Sequence, residues 1–175
     1  MNWVDLSALK AQMGIDNARR DGELQAALNG AISAAAAFIG ADIALQEYAE
    51  QYDGNGKDRL VLRQYPVHQV LSVEIDGKPD AAWRNDDWLL MAQGAAFPRG
   101  VRNIKVRYTA GYDPIPDDIQ AACIMIAQAR LNDFENKGIQ SKSLAGETIT
   151  YSNFTQSRGI PPAALAILQN YVRQI

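Results

Sequence analysis

The sequence predicts an α+β protein, mainly helical, in which a bundle of about four helices carries a small inserted antiparallel β lobe. Three observations lead there. Every residue from Ala121 to Ala127 is apolar, and a helix apolar on nearly all sides must be enclosed by protein. Apolar stripes with a helical period lie near the start of the chain and at its end, whereas between Gln51 and Thr109 the period falls to two. The expected elements are helices over 5–14, 21–40, 117–135 and 161–174 and a β lobe over 51–110, all in one domain spanning 1–175.

Asp5 is placed to cap the first helix, with Leu6, Leu9 and Met13 on one face and Gly14 as its stop. Val4 and Leu9 have the spacing of a hydrophobic staple. In the second helix Leu24, Leu28, Ala31, Ala35 and Phe38 form the stripe, widened by Ile32 and Ile39. The alanines at 34–37 admit a close neighbour, either the apolar helix or another subunit.

Asp53-Gly54-Asn55-Gly56 signals a turn. Leu60 and Leu62 alternate with Arg59, Val61 and Arg63, and Pro66 breaks the run. Val67, Leu71, Val73 and Ile75 form the next apolar face, ending at the hairpin signal Asp76-Gly77. A short strand is expected from Trp88 to Met91, and Ile104, Val106 and Tyr108 complete a sheet of about four strands with one face buried. The other face carries Arg59, Arg63, Lys105 and Arg107, with Glu74 and Asp76 nearby. These charges either pair across strands on a wet face or offer a basic surface to a neighbouring subunit or nucleic acid.

Gly111, Pro114 and Pro116 stop the last strand, and Asp117 and Asp118 suit the positive end of the helix that follows. Residues 136–158 are polar and poor in helix signals, with a brief strand expected near Glu147–Tyr151. A loop this long usually serves a function or a partner. Pro161-Pro162 sets up a final helix with Leu165, Leu168, Val172 and Ile175 in one stripe and Ile167 and Tyr171 beside it. That helix either docks on its own core or is handed to a partner.

The chain of 175 residues is 47% hydrophobic and 21% charged, ordinary for a globular protein. It has no apolar run long enough for a membrane span, and Met-Asn-Trp-Val-Asp lacks the basic start of a signal peptide. One cysteine, Cys123, allows no disulfide framework and reads as a small buried residue, consistent with a reducing cytosol. The net charge of −3 is uneven: residues 137–175 hold Lys137, Lys142, Arg158 and Arg173 against Glu147, or 4 − 1 = +3, which leaves −6 for the rest. A basic tail on an acidic body suits association with a second copy or another acidic surface, or is simply a solvated tail.

Signals of chemistry are sparse. His68 has the parity of an outward-facing strand residue, and no serine lies in a nucleophile elbow. Asp113, Asp117 and Asp118 are dense enough to suggest a hard cation and a small metal-dependent hydrolase, although helix capping accounts for them. Asp86-Asp87 reads as a turn, and Gly54 and Gly56 lack the strand-to-helix context of a phosphate loop. Scattered aromatics and a pI near 5.1 argue against single-strand and duplex binding.

The order of features is more specific than any one of them. Trp3-Val4-Asp5-Leu6, the alanine-rich helix, Tyr52-Asp53-Gly54-Asn55-Gly56, Leu60-Val61-Leu62, Tyr65-Pro66-Val67, Val70-Leu71-Ser72-Val73 and Asp76-Gly77 come first. Val106-Arg107-Tyr108-Thr109-Ala110-Gly111-Tyr112, Pro116-Asp117-Asp118-Ile119 and Glu147-Thr148-Ile149-Thr150-Tyr151 follow. This order resembles the head–tail connector (adaptor) proteins of tailed bacteriophages, in the longer variety with a β insertion. The resemblance implies a structural virion protein without active site or cofactor, made in the host cytoplasm and located at the neck. It implies a ring of about twelve copies, docked under the portal protein, extending the DNA channel without sequence-specific binding, and offering a surface to a stopper or tail-completion protein. The alternative within the same class is another neck, stopper or tail-completion protein. In relatives the C-terminal segment reaches towards the portal. Carried over here, that expectation falls on Phe154, Arg158, Leu165, Leu168, Tyr171, Val172, Arg173 and Ile175, while Arg59, Arg63, Lys105 and Arg107 are candidates for the subunit interface.

Overall fold

The structure is a computed structural model and describes residues 4–94, 96–135, 141–144, 147–150 and 159–173. Its order is α1 (Leu6–Met13), α2 (Asp21–Ile39), β1 (Gln46–Gly54), β2 (Arg59–Val61), β3 (Val67–Ile75), β4 (Lys78–Asp80), β5 (Trp83–Asp86), β6 (Leu89–Ala92), β7 (Gly100–Ala110), α3 (Asp117–Glu135), β8 (Ser141–Leu144), β9 (Glu147–Thr150) and α4 (Pro162–Gln169). The expectation of a mainly helical protein is corrected: helices account for about 36% and strands for 31%. The shortfall comes from β1, β4, β5 and β8, which the sequence reading did not recognise as strands. The chain divides into two compact units, one formed by Met1–Gly40 and Pro116–Ile175, the other by Ala41–Ile115.

In the helical unit α3 touches each of the other three helices. Ile119, Ala122, Cys123, Ile126 and Ala127 are fully enclosed, as an all-round apolar helix requires. Leu24, Leu28, Ala31, Ala35 and Ile39 form the buried stripe of α2, and Leu9, Ala164 and Leu168 bring α1 and α4 into the same core. The ends follow local chemistry. Asp5 caps α1 by accepting the Ser7 amide at 2.8 Å. Gly14 closes α1 in the left-handed conformation, with Ile15 N bonded to Lys10 O at 2.9 Å. Lys10 reaches Asp21 in the first turn of α2 at 2.7 Å. The final helix is shorter than the pattern over 161–174 suggests. After Gln169 the chain continues in single turns, Tyr171 N to Leu168 O and Val172 N to Gln169 O.

In the β unit a four-stranded antiparallel sheet runs β1-β7-β3-β4, and a three-stranded sheet runs β2-β6-β5. The two share one core: Tyr52, Val67, Val70, Val73, Ile104, Val106 and Tyr108 from the first, Leu60 and Leu90 from the second, and Leu62 and Phe97 from loops. Strand β3 departs from strict alternation. Its register with β7 shifts between Val67 and Gln69 and again between Val70 and Ser72. Each bulge turns later side chains over, so Val70 is buried while Leu71, expected on the apolar face, stands 42% exposed. His68 is exposed. Residues β8 and β9 pair only with each other among the described strands.

Gly111, just after β7, has φ 110°, and a side chain there would lie 2.5 Å from the Ala44 carbonyl oxygen. The close approach lets Gly111 N bond Pro66 O at 2.9 Å and Tyr112 N bond Ile43 O at 2.8 Å. Gly111→Ala is expected to destabilise the protein by about 1 kcal/mol or more through the positive φ alone, with the Ala44 contact adding to it; chemical denaturation of the full chain measures the loss.

Candidate functional site

The described residues hold no constellation suited to catalysis. Asp118 accepts the Ile119 amide at 2.9 Å and the Tyr171 hydroxyl at 2.6 Å, and Asp117 receives the Gln120 amide group at 3.4 Å. Both acids therefore serve the start of α3, and Asp118 also anchors the C-terminal turn. Asp113 is exposed in the turn after Gly111. Among the described residues no three His, Cys, Asp or Glu side chains are grouped to hold a metal ion. Cys123 is buried, and burial pushes its thiol pKa up to about 12. No described helix is long and apolar enough to cross a membrane.

What the β unit does contain is a built polar cluster along β1 and β7. Tyr48, Glu50 and Tyr52 alternate inward on β1, opposite Tyr108, Val106 and Ile104. Glu50 accepts the hydroxyls of both Tyr52 and Tyr108, the latter at 2.7 Å. The same two hydroxyls accept backbone amides of the loop after β2: Arg63 N to Tyr52 at 3.0 Å and Gln64 N to Tyr108 at 3.2 Å. Burial first, and hydrogen bonds second, hold both phenols above their ordinary pKa, Tyr52 at about 12. They therefore remain donors at any working pH. Tyr48 packs on Tyr108 with ring centres 5.6 Å apart and gives its hydroxyl to Asp42 at 2.9 Å. The sequence reading missed this cluster because a carboxylate on the inward face disguises the alternation. The Tyr48–Glu50–Tyr52 spacing was the available signal.

The four basic candidates for a subunit surface all have acidic neighbours. Arg107 pairs with Glu47 on β1 at 2.5 Å, and Lys105 approaches Glu74 on β3 at 3.9 Å. Arg63 lies 3.7 Å from Glu50 and 4.8 Å over the Tyr52 ring, and Arg59 lies 3.6 Å from Asp58. Lys105 and Arg107 thus pair across strands of the four-stranded sheet, whereas Arg59 sits on β2 beside its chain neighbour and Arg63 in the loop after β2; such exposed pairs contribute little stability. Of the C-terminal candidates, Leu168 is fully buried in the helical unit. Leu165, Tyr171, Val172 and Arg173 are partly exposed. Phe154, Arg158 and Ile175 lie outside the described residues.

Comparison with known proteins follows the same lines. The model of the family described as "Head completion protein" matches residues 3–174. No curated protein sequence matches. Among solved structures, a chain in the neck of an empty gene transfer agent (GTA) particle computed with C6 symmetry superposes with TM-score 0.64 at 16% identity, covering 97% of this chain and 90% of that one. A chain in the neck of the native GTA particle computed with C12 symmetry gives TM-score 0.59 at 18% identity, covering 98% and 93%. A chain from the virion of the native GTA particle gives 0.63 at 16%, covering 97% and 90%.

Two measurements probe this arrangement. Tyr108→Phe removes a donor to Glu50 and the acceptor of the Gln64 amide, and is expected to cost about 1–3 kcal/mol in urea unfolding. The Cys123 thiol is expected to stay silent towards a thiol-reactive dye at pH 8 in the native protein and to react fully once denaturant is added; a fast native reaction would contradict its burial.

Proposed function

The chain belongs to the head completion protein family, and from that premise we propose that its copies form a closed ring in the head–tail neck, docked beneath the portal. Its role is structural, in the neck of a phage-like virion. Support for the ring comes from the GTA neck structures, computed with C6 and C12 symmetry, whose fold this chain shares over almost its whole length. A closed ring of about twelve copies uses a heterologous interface, so each copy must present two different complementary surfaces. An acidic body and a chain end of +3 supply charges of both signs.

In this reading the C-terminal segment meets the portal. Leu168 and Ala164 anchor α4 in the helical unit, and the Tyr171–Asp118 bond holds the turn beyond it. We assign Phe154, Arg158, Val172 and Ile175 to the partner contact, and the opposite side of the ring receives a stopper or tail-completion protein. DNA passes through the ring without base-specific contact. Tight phosphate contacts would retard it, and an acidic chain with its described sheet-face cations paired suits a passage that does not grip. No catalytic step belongs to this role.

The observation that carries the proposal is the family match over residues 3–174. Electron microscopy of particles carrying a tagged copy tests it. Label at the junction of head and tail, in a ring on the portal, is expected; label on the capsid shell, the tail tip or nowhere on the particle would end it. Phe154→Ala with Arg158→Glu is expected to lower incorporation at least ten-fold while leaving the circular dichroism spectrum unchanged. Full incorporation of the double variant would remove the portal role from this segment.

A further inference from the structure

We propose that the open edge of β1 is a subunit-docking site, completed in the assembled ring by the β8–β9 hairpin of a neighbouring copy. The inference rests on the ring reading above and supplies the contact that would close the ring.

Hydrogen-bond parity identifies the open groups. Gly111 N bonds Pro66 O, so the odd-numbered residues of β7 turn their backbone groups towards β3. The even-numbered ones, Ile104 to Ala110, then face β1, where they pair with Tyr52, Glu50, Tyr48 and Gln46. Glu47, Ala49 and Gln51 therefore point their N–H and C=O groups away from the sheet. Gln51 confirms this: its carbonyl receives an Arg63 guanidinium N–H at 3.3 Å instead of a strand amide. Arg63 thus closes one end of the edge and leaves Glu47 and Ala49 open. That row suits a strand of four residues, the length of β8 and of β9.

The other edges of the unit are blunted. β4 has three residues, one of them Pro79; β2 has three and β5 four. A short edge or a proline is the usual guard against unwanted pairing. β1 is nine residues long and has no proline and no lysine. Its own charge selects the partner. Residues 46–54 hold Glu47, Glu50 and Asp53 and no cation, a charge of −3, so two β1 edges in symmetric pairing would set like charges together. The hairpin strands carry Lys142 against Glu147, 1 − 1 = 0, so they meet the acidic edge without the like-charge repulsion of a second β1. A two-stranded hairpin is marginal in water without a third strand, and β8–β9 is a sheet of its own among the described strands. One copy has an edge lacking a strand, and the same sequence has a hairpin lacking a sheet. Strand addition of this kind draws its affinity from main-chain hydrogen bonds, and edge against hairpin is heterologous, as a ring demands.

Two full-length variants test the site in particles. Ala49→Pro removes an outward-facing N–H and spares every β1–β7 bond, a place where an edge strand accepts proline. It is expected to keep the wild-type melting profile and to lose ring formation and incorporation into necks at least ten-fold. Tyr48→Pro, which breaks the inner ladder, is the unfolding comparator. In parallel, copies with Ala49→Cys and a size tag are mixed with copies bearing Lys142→Cys or Ser143→Cys, assembled, and treated with a short bismaleimide. A cross-link between tagged and untagged chains is expected. Normal incorporation of Ala49→Pro, or assembled necks without inter-chain cross-links, overturns the docking site. If Ala49→Pro fails to fold, the cross-link alone decides. Failure of the wild-type protein to enter necks would instead count against the function proposed above, so the two failures are distinguishable.

Discussion

The β unit depends on the pairing of β7. It is bonded to β1 on one side and to β3 on the other, and its inward residues Ile104, Val106 and Tyr108 are all fully buried. Period-2 geometry means that a slip of one residue would send that whole set to solvent. The register is therefore pinned from outside the apolar pattern as well. Gly111 locks the C-terminal end against Ala44, and at the other end Asn103 Oδ1 accepts Gly54 N at 2.9 Å while Arg102 N bonds Asp53 at 2.6 Å. Between these clamps the Glu50 carboxylate fixes the phenols of both strands. A partly buried carboxylate is tolerated here because it has partners. Two hydroxyls donate to it, and the Arg63 guanidinium stands nearby.

Much of the helical unit was legible in the sequence, because its signals are local or periodic. Asp5, Gly14 and Gly40 act within a turn of themselves, and the apolar run at Ala121–Ala127 admits only an enclosed helix. The β unit was harder to read, and the physical reasons are specific. Two bulges in β3 exchanged Val70 and Leu71 between faces, which no strict alternation anticipates. Glu50 among tyrosines hid the alternation of β1, although its inward face is as structured as any in the sheet. β4 and β5 are short and charged, and they are strands only because β3 and β6 supply partners. Missing these strands, and β8, is what turned a balanced α+β chain into an expected mainly helical one.

The candidate site was legible in kind and not in detail. Charge asymmetry along the chain and the order of its turns pointed to assembly. Composition could not show that Arg63, Lys105 and Arg107 each meet an acid, because their partners Glu50, Glu74 and Glu47 come from other strands, whereas Asp58 simply precedes Arg59 in the chain. Nor could it show that Leu168 belongs to the core while Val172, four residues on, is partly exposed. A helical stripe running to the last residue reads as one face, but α4 ends at Gln169 and the stripe is cut.

A neck protein faces a constraint that an enzyme does not. On the proposed role, a copy that assembles on a template would have to stay unassembled until that template is present, and then join tightly to copies of itself. The sheet-face ion pairs of Lys105 and Arg107 do not provide that change, since they are already made within the chain. Open backbone groups can. They are solvated in the free chain, and their net value appears only when a complementary strand is held in register. Like charges along β1 disfavour pairing of two such edges, and a hairpin too small to be stable alone is a weak partner until something holds it. A second contact on the same copy, such as one made by the chain end with the portal, would raise the effective concentration of hairpin at edge from micromolar to roughly millimolar. Assembly would then be conditional on the template without any change of fold.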